Sequence, residues 1–379
     1  MQLSIHHYSR DGDWNQPPDG GLDSAGTVLF IFAGTRCPVL ERALDDLRVC
    51  FTLAQWIGCS TAGEIFGRCL DDDSLVVAIV RFDKARVRSV QERIGPDHGA
   101  LEAGRNIARA LAGPGLKGIF VLADGLAVNG SELAKGLAGE LPAGLPVSGG
   151  LAADGDRFRK TWVIADKVPQ TEHVVAVGFY GDSVGIACNY RGGWDVFGPE
   201  REVTRSSSNV LYSLDGQPAL ALYRKYLGDR AGELPAAGLL FPLAIRNELE
   251  ADGLTVRTIL AINEADQSIT FAGDIPQGSF VRMMRANRDR LIDGATGAAD
   301  GVRSSGGTAG ETLCIAISCI GRRLVLGQRC EEELEAVLDT LPKTCRMIGY
   351  YSYGELSPLG SGRCDLHNQT MTLSLLWEA

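Results

Sequence analysis

The sequence predicts a mixed α/β protein of two pseudo-symmetric domains, built from duplicated β-α-β-β modules whose mixed sheets are flanked by helices. Three observations predict it. Short apolar runs ending at glycine alternate with segments of helical spacing. The length, 379 residues, suits two domains of ordinary size. Finally, the pattern I-G-x-x-[ST]-x-G-E-[IL] occurs at 57–65 and again at 348–356. Each copy follows an apolar run and a helical segment and precedes another apolar run.

The elements follow in order. Residues 1–25 are polar and rich in Gly, Asp and Pro, and read as an irregular lead-in. TVLFIFAG (27–34) is an unbroken apolar run, as in a strand buried on both faces. VLERALDDLRV (39–49) sets Leu40, Ala43, Leu44 and Leu47 on one helical face. QWIGCSTAGEI (55–65) starts as a strand and breaks at its glycines, and SLVVAIVRF (74–82) is a strand. HGALEAGRNIARALAG (98–113) is a helix, KGIFVLADG (117–125) a buried strand, and SELAKGLAGEL (131–141) a helix with Ser131 as its cap. VVAVGFYG (174–181) and SVGIACNYR (183–191) flank a Gly-Asp pair and read as a hairpin. In the second half, 217–228 is a helix, 238–246 and 254–264 are strands, and 279–302 is rich in helix. The module then returns as strand 312–319, helix 331–341, strand 346–356 and strand 370–377. A weaker echo runs through 117–180, where LPVSGGLAADGD takes the turn position. The expected layout is a lead-in (1–25), a first domain (26–215) and a second (216–379).

Composition narrows the function. Against 37 Lys+Arg stand 47 Asp+Glu, a formal charge of −10. No basic cluster is present to neutralise phosphates, which argues against nucleic-acid binding and against an anionic membrane surface. No apolar run reaches the ~18–20 residues that span a bilayer, and the first residues lack a secretion pattern. A cytoplasmic location is therefore expected. The ten cysteines include no C-x-x-C pair and sit mostly in apolar runs, as buried thiols do. With five histidines, a histidine-rich metal site is not expected.

The candidate functional residues lie at the repeated turns. Gly63-Glu64 and Gly354-Glu355 place glycine before glutamate at a strand end. Glycine permits positive φ and close backbone approach. Each Glu either accepts backbone N–H groups or meets a ligand, and two related copies bring Glu64 and Glu355 toward a shared cleft. The glycine-rich segments 148–156 and 305–311 read as loops lining that cleft, without the strand-then-helix setting of a phosphate loop. His367 is either bonded to backbone or a ligand. If 367–376 is one strand, it shares a face with Met371 about 13 Å away, too far to hold one metal together. Cys37-Pro38 reads as a buried Cys at a helix start or as an exposed thiolate. No hydrolase elbow, H-E-x-x-H or kinase signature is present. Thr308 after Gly306-Gly307 leaves an autoprocessing hydrolase as a remote reading.

These residues carry a family resemblance. WIGCSTAGEI with SLVVAIV, VSGGLAADGDRF, VVAVGFYGDSVGIACNYRGGWDVFG and GYYSYGELSP…LHNQTMTLSLL resemble a FIST protein, a paired FIST-N and FIST-C sensory module of bacterial signalling, from about residue 26 onward. The resemblance implies ligand sensing without enzymatic activity. No output domain is seen in the sequence, so it also implies a separate partner, a histidine kinase or a cyclic-di-GMP enzyme, and allows a homo-oligomer. The layout is similar to that of stand-alone members that sense nitric oxide through haem b. On that analogy the axial ligand would be His367, with His98, His173 and Cys37 in reserve. The alternative within the family is a small organic ligand such as an amino acid. Gly63, Glu64, Tyr353, Gly354, Glu355 and Asn368 suit such an ammonium-and-carboxylate ligand.

Overall fold

The computed structural model describes residues 1–95, 98–234, 236–246, 254–304, 310–360 and 362–379. Module one comprises β1 (Gln2–Tyr8), β2 (Thr27–Gly34), α1 (Leu40–Cys50), β3 (Gln55–Thr61), the small hairpin β4 (Glu64–Phe66) and β5 (Cys69–Asp71), and β6 (Leu75–Arg81). Module two comprises β7 (Arg86–Arg93), α2 (Ala100–Leu111), β8 (Leu116–Ala123), α3 (Gly130–Glu140), β9 (Val147–Leu151), the hairpin β10 (Val163–Ala165) and β11 (Val168–Gln170), and β12 (His173–Tyr180). Module three opens with β13 (Val184–Arg191) and is then interrupted. The inserted chain forms β14 (Trp194–Ser207), β15 (Val210–Leu214), β16 (Gln217–Pro218), α4 (Ala219–Leu227), β17 (Leu243–Arg246), β18 (Leu254–Arg257), β19 (Ile259–Asn263), β20 (Ser268–Phe271) and β21 (Phe280–Ala286). The module resumes with α5 (Arg288–Ser304), β22 (Thr312–Cys319), α6 (Ile320–Leu326), α7 (Cys330–Thr340), β23 (Cys345–Ser352), the hairpin β24 (Gly354–Pro358) and β25 (Cys364–His367), and β26 (Met371–Glu378).

The mixed α/β class, with mixed sheets flanked by helices, is what the chain adopts. The module occurs three times, since the weaker echo over 117–180 is a full copy. In each copy the first and second central strands run parallel, as β2–β3, β8–β9 and β22–β23 do, and the last strand pairs antiparallel with the first. Each module gives its small hairpin to another module's sheet. β4–β5 extends β23, β10–β11 extends β3, and β24–β25 extends β9. The three six-stranded sheets that result are β1-β6-β2-β3-β10-β11, β25-β24-β9-β8-β12-β7 and β13-β26-β22-β23-β4-β5. The exchange is cyclic, so the sheets close into a three-sided ring. At its corners His7 lies against Phe66, Gln91 bonds Asp166 and Tyr190 stacks on His367.

Period-2 alternation sorts the strand residues. Phe30, Phe32, Phe120, Leu122, Ile315 and Ile317 fill the centre of the ring. Phe30 meets Phe120 edge-on at 5.4 Å, and Phe32 stacks on Tyr350 at 4.7 Å. Leu29, Ile31 and Ala33 face outward, under Ala43, Leu44 and Leu47 of α1. One glycine recurs by necessity. A Cβ at Gly58, Gly149 or Gly349 would collide with the carbonyl of Ile31, Val121 or Ala316 on the parallel neighbour.

Several expectations need correction. Residues 1–25 are not wholly irregular, because β1 pairs along its whole length with β6. Its polar residues mask a strand that closes one side of the ring. The segments 174–181 and 183–191 form no hairpin. β12 pairs with β7 and β8, while β13 pairs with β26, so Gly181-Asp182 carries the chain from one sheet to the next. The cap of α3 is Asn129, whose side chain accepts from the N–H groups of Ser131 and Glu132. Residues 279–302 hold a strand before their helix. The stretch 367–376 is two strands, broken where Gln369 takes φ +65°.

Candidate functional site

The repeated turns place buried acids at equivalent points. The Glu64 carboxylate accepts from the Thr61 hydroxyl and from the Ser74 N–H and hydroxyl, both at 2.9 Å. The Glu355 carboxylate accepts from Ser352 Oγ and from the Thr370 N–H (3.3 Å) and hydroxyl (2.9 Å). Both are fully buried, and burial pushes each carboxyl up to about 8 against the pull of those hydrogen bonds. Module two reaches the same end differently. Val163 occupies the acid's strand position, and Asp124 at the end of β8 accepts from Thr161 Oγ1 and, at 2.7 Å, from the Glu172 N–H. Each carboxyl ties a turn to the strand that follows it. Glu64 and Glu355 belong to different sheets, so they do not meet in one cleft.

A cleft of about 470 Å³ opens beside Glu64, at the carboxyl ends of β2, β3 and β22. All three modules line it. Module one gives Gly34, Thr61–Glu64, Asp72 and Asp73; module two gives Gly155, Asp156 and Arg157; module three gives Ile320, Arg323, Leu324 and Gly327. Arg323 grips Asp72 through two parallel bonds, Nη1 to Oδ1 at 2.8 Å and Nη2 to Oδ2 at 2.6 Å. It also donates to the Ala62 carbonyl and lies over the Tyr351 ring. Gly63 sits at φ +128°, and a Cβ there would strike the Arg323 guanidinium. Arg157 donates to Thr35 Oγ1 at 2.8 Å. Among the described residues, Arg157, Asp73 and Asp156 form no ion pair. The cleft thus presents one unpaired cation and two unpaired anions around a buried acid.

The residues singled out from sequence divide around this cleft. Gly63 and Glu64 line it. Tyr353 supports it from behind, its hydroxyl donating to Asp154 and to the Gly155 carbonyl while its ring stacks on Phe158 at 4.6 Å. Gly354, Glu355 and Asn368 lie where the ring's pseudo-symmetry would put another cleft, and the insertion fills that place. Asn368 Oδ1 accepts from the Thr258 N–H, and Gln369 Nε2 donates to Thr258 Oγ1. Thr308 lies outside the described residues. Of the five charged lining residues, Asp156 and Arg157 lie in the segment VSGGLAADGDRF but drew no role there, and Asp72, Asp73 and Arg323 escaped sequence reading, because each lies in a loop or helix start with no motif of its own. The signal was positional: all five follow the carboxyl end of a module strand or precede the next one.

The residues expected as haem ligands are each buried or already engaged with protein groups. His367 is 3% exposed, its Nε2 lies 3.1 Å from the Ser357 carbonyl, and its ring stacks on Tyr190 at 3.8 Å. Burial pushes the ring down to about 4, partly opposed by the charge of Asp365. His98 Nε2 pairs with Glu92 at 3.0 Å. His173 lines a separate recess among Glu41, Arg93, Lys160 and Glu172, a charged setting for a porphyrin. Cys37 is buried, and its thiol is pushed up to about 11, away from the thiolate that binds iron. No cluster of His, Cys, Asp or Glu among the described residues is arranged to hold a metal ion.

Comparison with known proteins adds the family. A model described as FIST N domain matches residues 27–217, and one described as FIST C domain matches 219–358. An uncharacterized protein of Methanocaldococcus jannaschii is 24% identical over 297 residues, which cover 71% of this chain and 56% of that protein. The chain therefore spans about half the length of this curated relative. Among solved structures, a cyanuric acid hydrolase from A. caulinodans aligns over 99% of this chain and 98% of its own, with 8% identity and a TM-score of 0.36.

Proposed function

The chain belongs to the FIST family of sensory ligand-binding domains, and from that premise we propose that it senses a small zwitterion such as an amino acid in the three-module cleft. The observation that carries this reading is the set of charges lining one cleft without an ion pair among the described residues, Arg157, Asp73 and Asp156. A carboxylate suits Arg157, whose planar fork makes paired bonds to such groups. An ammonium suits the two aspartates. The site's size, a few hundred Å³, is in the range of small-molecule sites. No nucleophile-and-base pair is assigned in the cleft, and the proposed role is binding without catalysis. The signal passes to a separate signalling protein, a histidine kinase or a cyclic-di-GMP enzyme. Nitric oxide sensing through haem b is the competing reading, and the packing of His367 and Cys37 gives it no support.

A thermal-shift screen of the amino acids, with haemin titrated in parallel, tests the proposal. One or a few amino acids should raise the melting temperature in a concentration-dependent way, and Arg157→Ala should abolish the rise. A stoichiometric Soret band with no amino-acid response would replace this reading with the haem one.

A further inference from the structure

Arg323 faces the cleft, and its neighbour Arg322 faces the opposite way, into the core. Arg322 and Glu333 are both fully buried and form an ion pair, with Arg322 Nη2 to Glu333 Oε2 at 2.7 Å. Glu333 Oε1 also accepts from Ser318 Oγ at 3.0 Å and from the Tyr351 hydroxyl at 2.6 Å. The remaining Arg322 donors reach two backbone carbonyls. Nη1 bonds Gly192, and Nη2 bonds Leu291 at 2.7 Å. Those carbonyls flank the inserted sheet. Gly192 lies two residues before β14 begins, and Leu291 follows β21 in the first turns of α5. One guanidinium therefore holds both stalks of the insertion. A second tie runs the same way, from Arg288 Nε to the Val325 carbonyl of α6 at 2.9 Å.

The seven-residue helix α6 thus stands between two attachments. On one side Arg323 is latched by exposed Asp72 from module one. On the other, Arg322 and Val325 grip the roots of the eight-stranded sheet β14–β21. The first attachment is solvent-accessible and exchangeable. The second is buried, and breaking it would strand a charge in the core, which makes it stiff. A ligand carboxylate that engages Arg323 as well as Arg157 competes with Asp72 for the paired donors on Arg323. A ligand can shift a conformation only through differential affinity for its two states, and this exchange supplies the difference.

Resting on the reading of the cleft as a ligand site, we infer that α6 transmits its occupancy to the inserted sheet: release of Arg323 from Asp72 moves α6, and Arg322 carries that movement to both stalks. The insertion is then the element whose position reports ligand.

Hydrogen exchange on the 379-residue chain tests this without the ligand. Asp72→Asn weakens the latch at an exposed position and leaves the core intact. Amide exchange in α6 and in both stalks, residues 190–196 and 286–292, should rise roughly fivefold or more, the lower end of an ordinary coupling free energy. The sheet containing β7, β8 and β12 should not change. Asp339→Asn, which breaks the exposed Arg68–Asp339 pair at 2.5 Å, is the control and should leave the stalks as they are. Changes confined to residues 62–73, or stalks that respond equally to the control, would overturn the inference. Failure of every amino acid to bind would sink the ligand reading while leaving this mechanical result standing, so the two are separable.

Discussion

Burial pushes Glu64 and Glu355 up to about 8, against the hydrogen bonds that favour their charged form, and this has a measurable consequence. Each has a folded value of about 8 against an ordinary 4.5. Between those values the folded state binds more protons than the unfolded one, so stability falls as pH rises. The slope is roughly 1.4 kcal/mol per pH unit for each group. His367 works in the opposite sense. Its folded value of about 4 lies below the ordinary 6.5, so it adds stability as pH climbs through that window and is flat above it. The window from pH 6.5 to 8 therefore holds the glutamates' contribution and lies above that of His367, and the Glu64→Gln comparison separates Glu64 from other groups. Urea midpoints of the wild type should fall across it, and Glu64→Gln should show a smaller fall. Equal slopes would mean that Glu64 is ionised in the fold. The G-E pairs were legible from sequence as turns, but their raised values were not, because the burial that causes them comes from packing between modules.

Helix caps and strand partners show where local signals end. Ser131 looked like the cap of α3, since serine precedes the apolar positions. Asn129 takes the role, and Ser131 instead accepts from the Asp274 N–H at 3.2 Å, tying α3 to the insertion. Asn129→Ala should destabilise by about 1 kcal/mol, measured by denaturant melts, whereas a Ser131→Ala change of that size with none at Asn129 would restore the sequence reading. The Gly-Asp pair at 181–182 carries a genuine turn signal, yet the strands it joins belong to different sheets. Sequence records that a turn occurs and not which strands it pairs. Strands β2, β8 and β22 were plain in the sequence, because strands buried on both faces read as nearly continuous apolar runs.

The whole molecule depends on exchange between its modules. Each small hairpin completes a neighbour's sheet, so the ring closes only when all three modules are present. Two copies of the module were readable because both keep the G-E turn. The third lacks it, Asp124 at the end of another strand serving there instead, and only pairing reveals the equivalence. The cleft is a product of that closure, as none of its three walls is near another in sequence. Its place follows from the ring: the junction beside Glu64 is open, and the one beside Glu355 is occupied by Thr258 and its neighbours in the insertion. The central claim is that this open junction binds a small zwitterion, and calorimetric titration tests it most directly. With the amino acid that raises the melting temperature most, the account predicts saturable one-to-one binding that Arg157→Ala and Arg323→Ala each weaken by about tenfold or more, the loss of one charge-assisted hydrogen bond. Saturable binding that both variants leave unchanged would contradict it.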